Sequence, residues 1–337
     1  MEYSIVIAVR DEVNTIKECI ESVYQQSYQR TYEVIVVDGY SKDGTYEMLQ
    51  QLQKTYPFHL YQNPTQNAAA GRNTGIHHAQ AQKIAFIDGD AAASKNWLDE
   101  IEKTFQRHPK AIGVGGPDLL PKNSEIKSKM IGYFMTSPLA RGGKFNPSTQ
   151  HSMMKEEQSV DHIPTCNLCL KREIFDHVGM FDESFVKGQD LELNYRIRHQ
   201  GYKLIYSPHI KVIHYRKEHI STFSRQIFKW SKAKVGIIRK HGLDGITSHI
   251  YLWPVYALLG IILLFAISYI TNLLLLYYFL ILTGILLYSI FVLNESVLLM
   301  KKYRYRMLFL YSLLLFPIVH GAYAFGILTA VVKRKIW

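Results

Sequence analysis

The sequence predicts an α/β domain with a mainly parallel sheet, followed by helices that enter a membrane. Three observations carry that prediction. Up to about residue 215, short apolar runs alternate with helical patterns, which is the signature of repeated βαβ units. Acidic residues recur just after the ends of those runs. Beyond about residue 250, apolar stretches of bilayer length dominate, and basic residues sit only between or after them.

Taken in order, 6–9 reads as the first strand and 12–25 as a helix, then 34–37 as a strand and 44–56 as a helix that Pro57 ends. A strand at 59–61, a helix at 68–80, a strand at 83–87, a helix at 96–107 and a strand at 112–115 continue the rhythm. Residues 117–162 lose it and carry Pro, Gly, Ser and Lys, which predicts a long functional loop with a helix over 126–135. Helices at 171–177 and 191–200 and strands at 203–206 and 211–214 follow. From 222 to 240, Phe223, Ile227, Trp230 and Val235 alternate with Arg225, Lys229, Lys232 and Lys234, the pattern of an interfacial amphipathic helix; a solvated helix packed on the domain is the competing reading. The expected organisation is a catalytic domain over 1–220, an interface helix region over 221–245 and a membrane domain over 246–337.

Runs at 253–270 and 273–294 are long enough to span a bilayer core. Their connection is uncharged, whereas Lys301, Lys302, Arg304 and Arg306 follow the second run. The hairpin tip is therefore expected outside, with the catalytic domain cytoplasmic at the cell (inner) membrane. A third run, 307–332, has the length to cross, but crossing would leave Lys333, Arg334 and Lys335 outside. Pro317, His320, Gly321 and Gly326 also interrupt it, so a broken, re-entrant or interface-lying helix competes with a third span.

Thirty-nine Lys and Arg against 28 Asp and Glu give a net charge of +11, and much of the excess lies beside the apolar runs. Anionic headgroups are its natural partner, and the absence of a compact arginine-and-aromatic module argues against nucleic acid. The three cysteines, Cys19, Cys166 and Cys169, are too few for a disulfide framework and fit a reducing compartment. Cys166 and Cys169 have zinc-ligand spacing with His162 and His177 nearby, but a second cysteine pair is missing, so they read as small residues lining a loop. A strand-like run, 3–9, begins almost at Met1, so no secretory signal is expected.

Chemistry gathers at the predicted strand ends. Asp88-Gly-Asp90 follows the strand 83–87, where open α/β sheets bind ligands, and hard carboxylate oxygens suit Mg²⁺ or Mn²⁺ with diphosphate oxygens completing the shell. Asp38, in Asp-Gly-Tyr-Ser-Lys-Asp43-Gly-Thr45, follows the second strand and Glu12 the first; such acids can accept hydrogen bonds from a nucleobase or ribose. Ser41 or Asp43 also suits helix capping. Arg72, in Gly-Arg-Asn-Thr-Gly75, offers planar donors to phosphate, or is an ordinary surface arginine.

Read in order, Ser-Ile-Val-Ile-Ala-Val-Arg-Asp-Glu12, Val-Val-Asp-Gly-Tyr-Ser-Lys-Asp-Gly-Thr45, Gly-Arg-Asn-Thr-Gly75, Phe-Ile-Asp-Gly-Asp90 and the segment from Phe181 through Gln-Asp190 to Arg196 together resemble the family 2 glycosyltransferases of GT-A fold. The likeness covers about residues 3–235, and the membrane-anchored exopolysaccharide or succinoglycan type of glucosyltransferase is the similar subgroup. The resemblance implies a GT-A, Rossmann-like domain in which Glu12 and Asp38 hold the nucleoside, Arg72 and Asn73 lie near the diphosphate, Asp88 contacts the nucleotide and Asp90 binds Mn²⁺ or Mg²⁺. It also implies that Asp190 is the catalytic base, with Gln189 beside it on the acceptor side. Gln226-Ile-Phe-Lys-Trp230 looks like a variant of the Gln-x-x-Arg-Trp element near the acceptor of processive synthases, with Lys229 in place of Arg; Trp230 alternatively anchors at the membrane interface. Ala8, Asp11, Tyr40 and Gln189 depart from the common pattern, which puts donor-site detail in doubt but removes no required carboxylate.

The implied activity is inverting, metal-dependent transfer of one sugar from a nucleotide-sugar donor to a lipid-linked glycan acceptor, in surface polysaccharide or glycoconjugate assembly. Competing readings are a polyprenyl-phosphate sugar synthase, a processive polysaccharide synthase, a nucleotidyltransferase and a catalytically silent membrane scaffold.

Overall fold

The computed structural model describes residues 1–140, 154–215, 219–243 and 252–333. They fall into two compact units, one built from 1–124 and 145–217, the other from 125–144 and 218–336.

In the first unit the chain runs β1 (Tyr3–Val9), α1 (Ile16–Tyr24), β2 (Tyr32–Asp38), α2 (Thr45–Leu52), β3 (His59–Gln62), α3 (Ala68–His78), β4 (Lys83–Asp88), β5 (Ala91–Ala93), α4 (Trp97–Arg107), β6 (Ala111–Gly115) and β7 (Asp118–Leu119). After α5 (Ile126–Phe134), which belongs to the second unit, come β8 (Gln158–Val160), β9 (Leu168–Lys171), α6 (Ile174–Val178), α7 (Gln189–His199), β10 (Lys203–Tyr206) and β11 (Val212–His214). Among the described residues, one sheet has eight strands in the order β3-β2-β1-β4-β9-β6-β10-β8, and a small second sheet runs β5-β11-β7.

Strands β1, β2 and β4 read as unbroken apolar runs because both faces of the sheet are covered. Ile5, Ile7, Val34, Val36, Ala85 and Ile87 enter a core shared with α1 and α4. The alternating set, Val6, Ile35, Val37, Ile84 and Phe86, enters a second core that includes α3 and α7 residues. Parallel pairing of β1 with β2 and β4 brings Val9, Asp38 and Asp88 to one edge of the sheet, since Val9 faces Asp38 and Ala8 faces Asp88.

Local expectations are corrected in three places. The first helix starts at Ile16 rather than at residue 12, since Thr15 N and Ile16 N both bond Glu12 O and turn the chain first. Leu168–Lys171, to which the sequence assigns no element before the helix expected at 171–177, is a strand that inserts antiparallel between β4 and β6. A four-residue run buried along most of its length has no period to announce it. β5 and β7, of three and two residues, are likewise too short to read from sequence.

The second unit holds α5, α8 (Ile220–His241), α9 (Trp253–Ile270), α10 (Leu274–Tyr303) and α11 (Met307–Val332). The last three are long and apolar enough to cross a membrane. No break occurs in α11, which runs helically through Pro317. Residues around α5, expected within the catalytic domain, group with the C-terminal helices because Met130, Ile131 and Phe134 share an apolar cluster with Phe223, Leu315 and Phe316. Polar ties reinforce that grouping: Ser137 Oγ donates to Glu295 Oε2 at 2.6 Å and Tyr303 OH to Thr136 Oγ1 at 2.9 Å.

Candidate active site

The site grows from the carboxyl end of β4. Asp88 closes the strand, Gly89 turns the chain, and Asp90 leads directly into β5. β5 pairs antiparallel with β11 so that His214 lies opposite Ala91, and Tyr215 N bonds Asp90 O at 2.8 Å. That register delivers His214 Nε2 to 2.9 Å from Asp90 Oδ1. On the other side of β11, β7 pairs Asp118 with Val212 and sets its carboxylate 3.4 Å from His214 Nδ1. The approach requires glycine at 116, where a Cβ would fall 2.1 Å from Ile210 O.

Asp88, Asp90 and His214 each offer a ligand atom, all within 4.8 Å of one another. Two carboxylates and one imidazole form a donor set that fits a divalent cation, and the imidazole suits Mn²⁺ better than Mg²⁺, which prefers oxygen alone. Asp118 behind the ring fixes its orientation, as carboxylates behind metal-binding histidines do. A second grouping, Asp118, Cys166 and His214, is fully buried. There burial and Asp118 push the Cys166 thiol up to about 11, which disfavours the thiolate that metal binding needs. The Cys-x-x-Cys pair is split: Cys166 Sγ lies 3.9 Å from Asp118, while Cys169 is buried in the sheet core.

Arg72 reaches this edge because α3 sits close on the sheet. A Cβ on Gly75 would lie 2.3 Å from Val6 Cγ1, and one on Gly71 3.3 Å from Ala8 Cβ, so the two glycines permit the contact. Arg72 Nη2 then meets Asp88 Oδ1 at 2.7 Å with its side chain only 7% exposed. Its Nη1 is buried without a partner among the described residues. Asn73, expected near a diphosphate, has its amide engaged: Nδ2 donates to Phe181 O and Glu183 Oε1, and Oδ1 accepts from Phe181 N.

The ends of β1 and β2 are stapled together. Asp38, fully buried, accepts from Ser41 N and Oγ, Ser41 Oγ accepts from Asp11 N, and Asp11 Oδ1 accepts from Lys42 N. Asp11 and Tyr40 both take left-handed conformations there, with φ of 56° and 55°. The helix cap itself is Gly44, while Asp43 accepts from Thr45 N. Glu12, held near Thr15, has its carboxyl pushed up to about 7 by burial and by neighbouring Asp90.

Asp190 occupies the first turn of α7, whose cap is Gly188 at φ 77°. His162 Nε2 lies 3.7 Å from Asp190 Oδ2. Asn194 Nδ2 donates to Ile163 O at 2.9 Å and faces His162 Nδ1 at 2.8 Å, so Nδ1 accepts and a neutral ring carries its proton on Nε2, toward Asp190. Gln189 is buried, and its Oε1 has no partner among the described residues. Gln226 and Trp230 belong to α8 in the second unit, where Trp230 packs against the cluster that contains Phe223 and Ile227.

Sequence reasoning missed His214, Asp118 and Asn194, and met His162 only as a neighbour of the cysteine pair. Only His214 had a signal, as a histidine at the end of a predicted strand; the others acquire meaning through long-range pairing.

A doubly covered sheet with carboxylates and a buried arginine at its carboxyl edge fits the glycosyltransferases of GT-A fold. The model described as Glycosyl transferase family 2 matches residues 4–179, and the chain belongs to that family. Among curated relatives, it is 28% identical over 272 residues to the dolichyl N-acetyl-alpha-D-glucosaminyl phosphate 3-beta-D-2,3-diacetamido-2,3-dideoxy-beta-D-glucuronosyltransferase of Methanococcus voltae, spanning 77% of this chain and 81% of that one. It is 23% identical to the succinoglycan biosynthesis protein ExoA of Rhizobium meliloti, over 70% of each chain. Of solved structures, the mannosyltransferase PcManGT from Pyrobaculum calidifontis, in complex with GDP-Man and Mn²⁺, shares the fold with a TM-score of 0.62 at 18% identity, over 97% of this chain and 87% of that one.

Proposed function

We propose that the protein transfers a sugar, with inversion, from a nucleotide-sugar donor to a lipid-linked glycan acceptor at the membrane face. The observation that carries this reading is the convergence of Asp88, Asp90 and His214 at the end of β4, in a cradle suited to a cation that binds a diphosphate. A Mn²⁺ or Mg²⁺ ion bound there would supply positive charge to the departing nucleoside diphosphate.

The chain's own residues divide the remaining work. Arg72 holds Asp88 through Nη2 and keeps Nη1 for a phosphate oxygen. Glu12 and Asp38 meet the nucleoside from the ends of β1 and β2. Asp190 takes the proton of the attacking hydroxyl, with His162 Nε2 3.7 Å from that carboxylate. No covalent enzyme intermediate is needed for inversion. Gln189 serves the acceptor side, a role the resemblance also gives to Gln226 and Trp230 of α8.

The relative from Methanococcus voltae is named for a dolichyl-phosphate-linked acceptor, which supports a lipid-linked sugar as acceptor here. The donor complex of PcManGT, with GDP-Man and Mn²⁺, is compatible with the cradle described above. Helices of bilayer length tether the enzyme where such acceptors reside, with the catalytic unit on the cytoplasmic side and addition limited to a single sugar.

The test is nucleoside diphosphate release by purified protein in lipid, over a panel of nucleotide sugars and lipid-linked acceptors with Mn²⁺ or Mg²⁺. Release should require metal and acceptor and collapse in Asp190→Asn and Asp90→Asn. Turnover that is indifferent to both substitutions would overturn the assignment.

A further inference from the structure

We infer that α11 does not cross the bilayer: α9 and α10 form the only membrane-spanning pair among the described helices, while α11 lies in the plane of the membrane with α8, its lipid partner being the headgroup region on the side where α9 begins. The inference concerns the second unit alone and goes beyond the catalytic reading.

The first observation is how the three apolar helices expose themselves. In the most apolar stretches of α9 and α10, 11% and 6% of residues are buried, as befits helices surrounded by lipid; in α11 the share is 33%. The exposed residues of α11 are Met307, Leu310, Leu314, Pro317, Gly321, Phe325, Val331 and Val332. At 100° per residue these positions fall within roughly 120° of one another, a single stripe along one side. The opposite side, including Leu308, Leu315, Phe316, Val319 and Ile327, is buried. One apolar stripe with a covered back is the geometry of a helix resting in an interface.

The second observation is what covers that back. α8 runs parallel to the last half of α11. Phe223 and Ile227 share a cluster with Phe316 and Val319, and Val235 shares one with Ile327 and Ala330. Between them a Cβ on Gly326 would lie 1.9 Å from Ser231 Oγ and 2.6 Å from Phe228 O, so the helices touch nearly backbone to backbone. At the far end Arg239 donates to the carbonyls of Ala330, Val331 and Lys333 at 2.8 to 2.9 Å. If α11 inserted, α8 would have to follow it, carrying Arg225, Lys229, Lys232, Lys234, Arg239 and Lys240 into hydrocarbon. Cations at that depth are strongly disfavoured, whereas at the interface they meet anionic headgroups.

Depth along the two spans gives the third observation. Leu252 and Val255, at the start of α9, pack against the cluster of Val235, Ile327 and Ala330 with Tyr323. A crossing α11 would carry those residues to the level of the α9–α10 turn at 271–273, roughly 25 Å away along α9. Near its middle, His320 meets Tyr288 of α10 at 3.0 Å. With about 20 residues from Leu274 filling the hydrocarbon, Tyr288 lies roughly 8 Å inside the boundary, and in-plane helices bury their apolar face about 5–10 Å. An in-plane α11 also keeps Lys301, Lys302, Arg304 and Arg306 on the same side as Lys333, which removes the conflict in the basic-residue pattern.

The experiment places single cysteines at Lys54, Asn272 and Lys333 of the full-length protein and labels sealed membranes with an impermeant maleimide; native Cys19, Cys166 and Cys169 are buried. Lys333→Cys should react from the same side as Lys54→Cys and opposite to Asn272→Cys. Reaction of Lys333→Cys with Asn272→Cys would overturn the inference. Because the readout is relative, it holds whichever way the protein inserts and whatever it catalyses. Spin labels at Leu314→Cys and Phe325→Cys provide an independent measure. Equal depths support an in-plane helix, while a difference of about 16 Å, the rise over eleven residues, refutes it.

Discussion

The Arg72–Asp88 pair should behave as one unit in a double-substitution cycle. The guanidinium is 7% exposed and the carboxylate 28%, with 2.7 Å between them. Asp88→Asn strands a buried cation, a change that costs about 3–5 kcal/mol when both partners are fully buried; the water that reaches Asp88 brings the expectation to about 2–4 kcal/mol. Arg72→Met leaves a carboxylate with some hydration and should cost about 2 kcal/mol. The double variant removes both charges together, so its cost should fall short of the sum by about 1.5–2 kcal/mol. In a unit of about 200 residues, each kcal/mol lowers Tm by roughly 2–4 °C, so either single variant should lose roughly 5–10 °C. Thermal unfolding in detergent with a chelator present reads these shifts free of any contribution from bound cation. Additivity within about 0.5 kcal/mol would refute the claim that Arg72 exists to hold Asp88 at the strand end.

Asp190→Asn should lower kcat by about 10²- to 10⁴-fold while leaving nucleotide binding within a few-fold, measured by turnover and calorimetry. Asp118→Asn should weaken Mn²⁺ binding by about 10- to 100-fold, because the imidazole of His214 loses the carboxylate that orients it; titration of Mn²⁺ reads this directly. Glu12 titrates near 7 instead of its ordinary 4.5, so its folded-state pKa is raised and its contribution to stability is present at low pH and lost as pH rises through 7. In chelator, wild-type Tm should therefore fall relative to Glu12→Gln between pH 5 and pH 8, and a constant difference would contradict the burial argument. Gly75→Ala places a methyl against Val6, and the overpacking should cost about 1–3 kcal/mol in chemical denaturation.

The stapled ends of β1 and β2 have a different character from the cluster of Asp88, Asp90 and His214. Around Asp38 almost every polar group is spent within the protein, whereas Arg72 Nη1 and Gln189 Oε1 are buried polar atoms with no protein partner among the described residues. Buried donors and acceptors of that kind are costly unless a ligand meets them.

By itself the sequence determined the α/β alternation, the strand-end acids Glu12, Asp38, Asp88 and Asp90, the helix that follows Asp190, and the two bilayer-length runs. Each of these depends on short-range rules: apolar runs for covered strands, helical period for α1 to α4, and length for lipid-facing helices. Tertiary structure alone decided the rest. β9 enters the sheet between β4 and β6 because an antiparallel edge fits there, not because four residues announce a strand. His214 reaches Asp90 only through the β5–β11 register, across 124 residues of chain, and Asp118 reaches His214 only through β7. The partner of α11 is likewise invisible in its own composition, since an apolar helix reads alike whether lipid surrounds it or α8 covers one side. Periodicity reports what each element must bury, and only the fold specifies which surface does the burying.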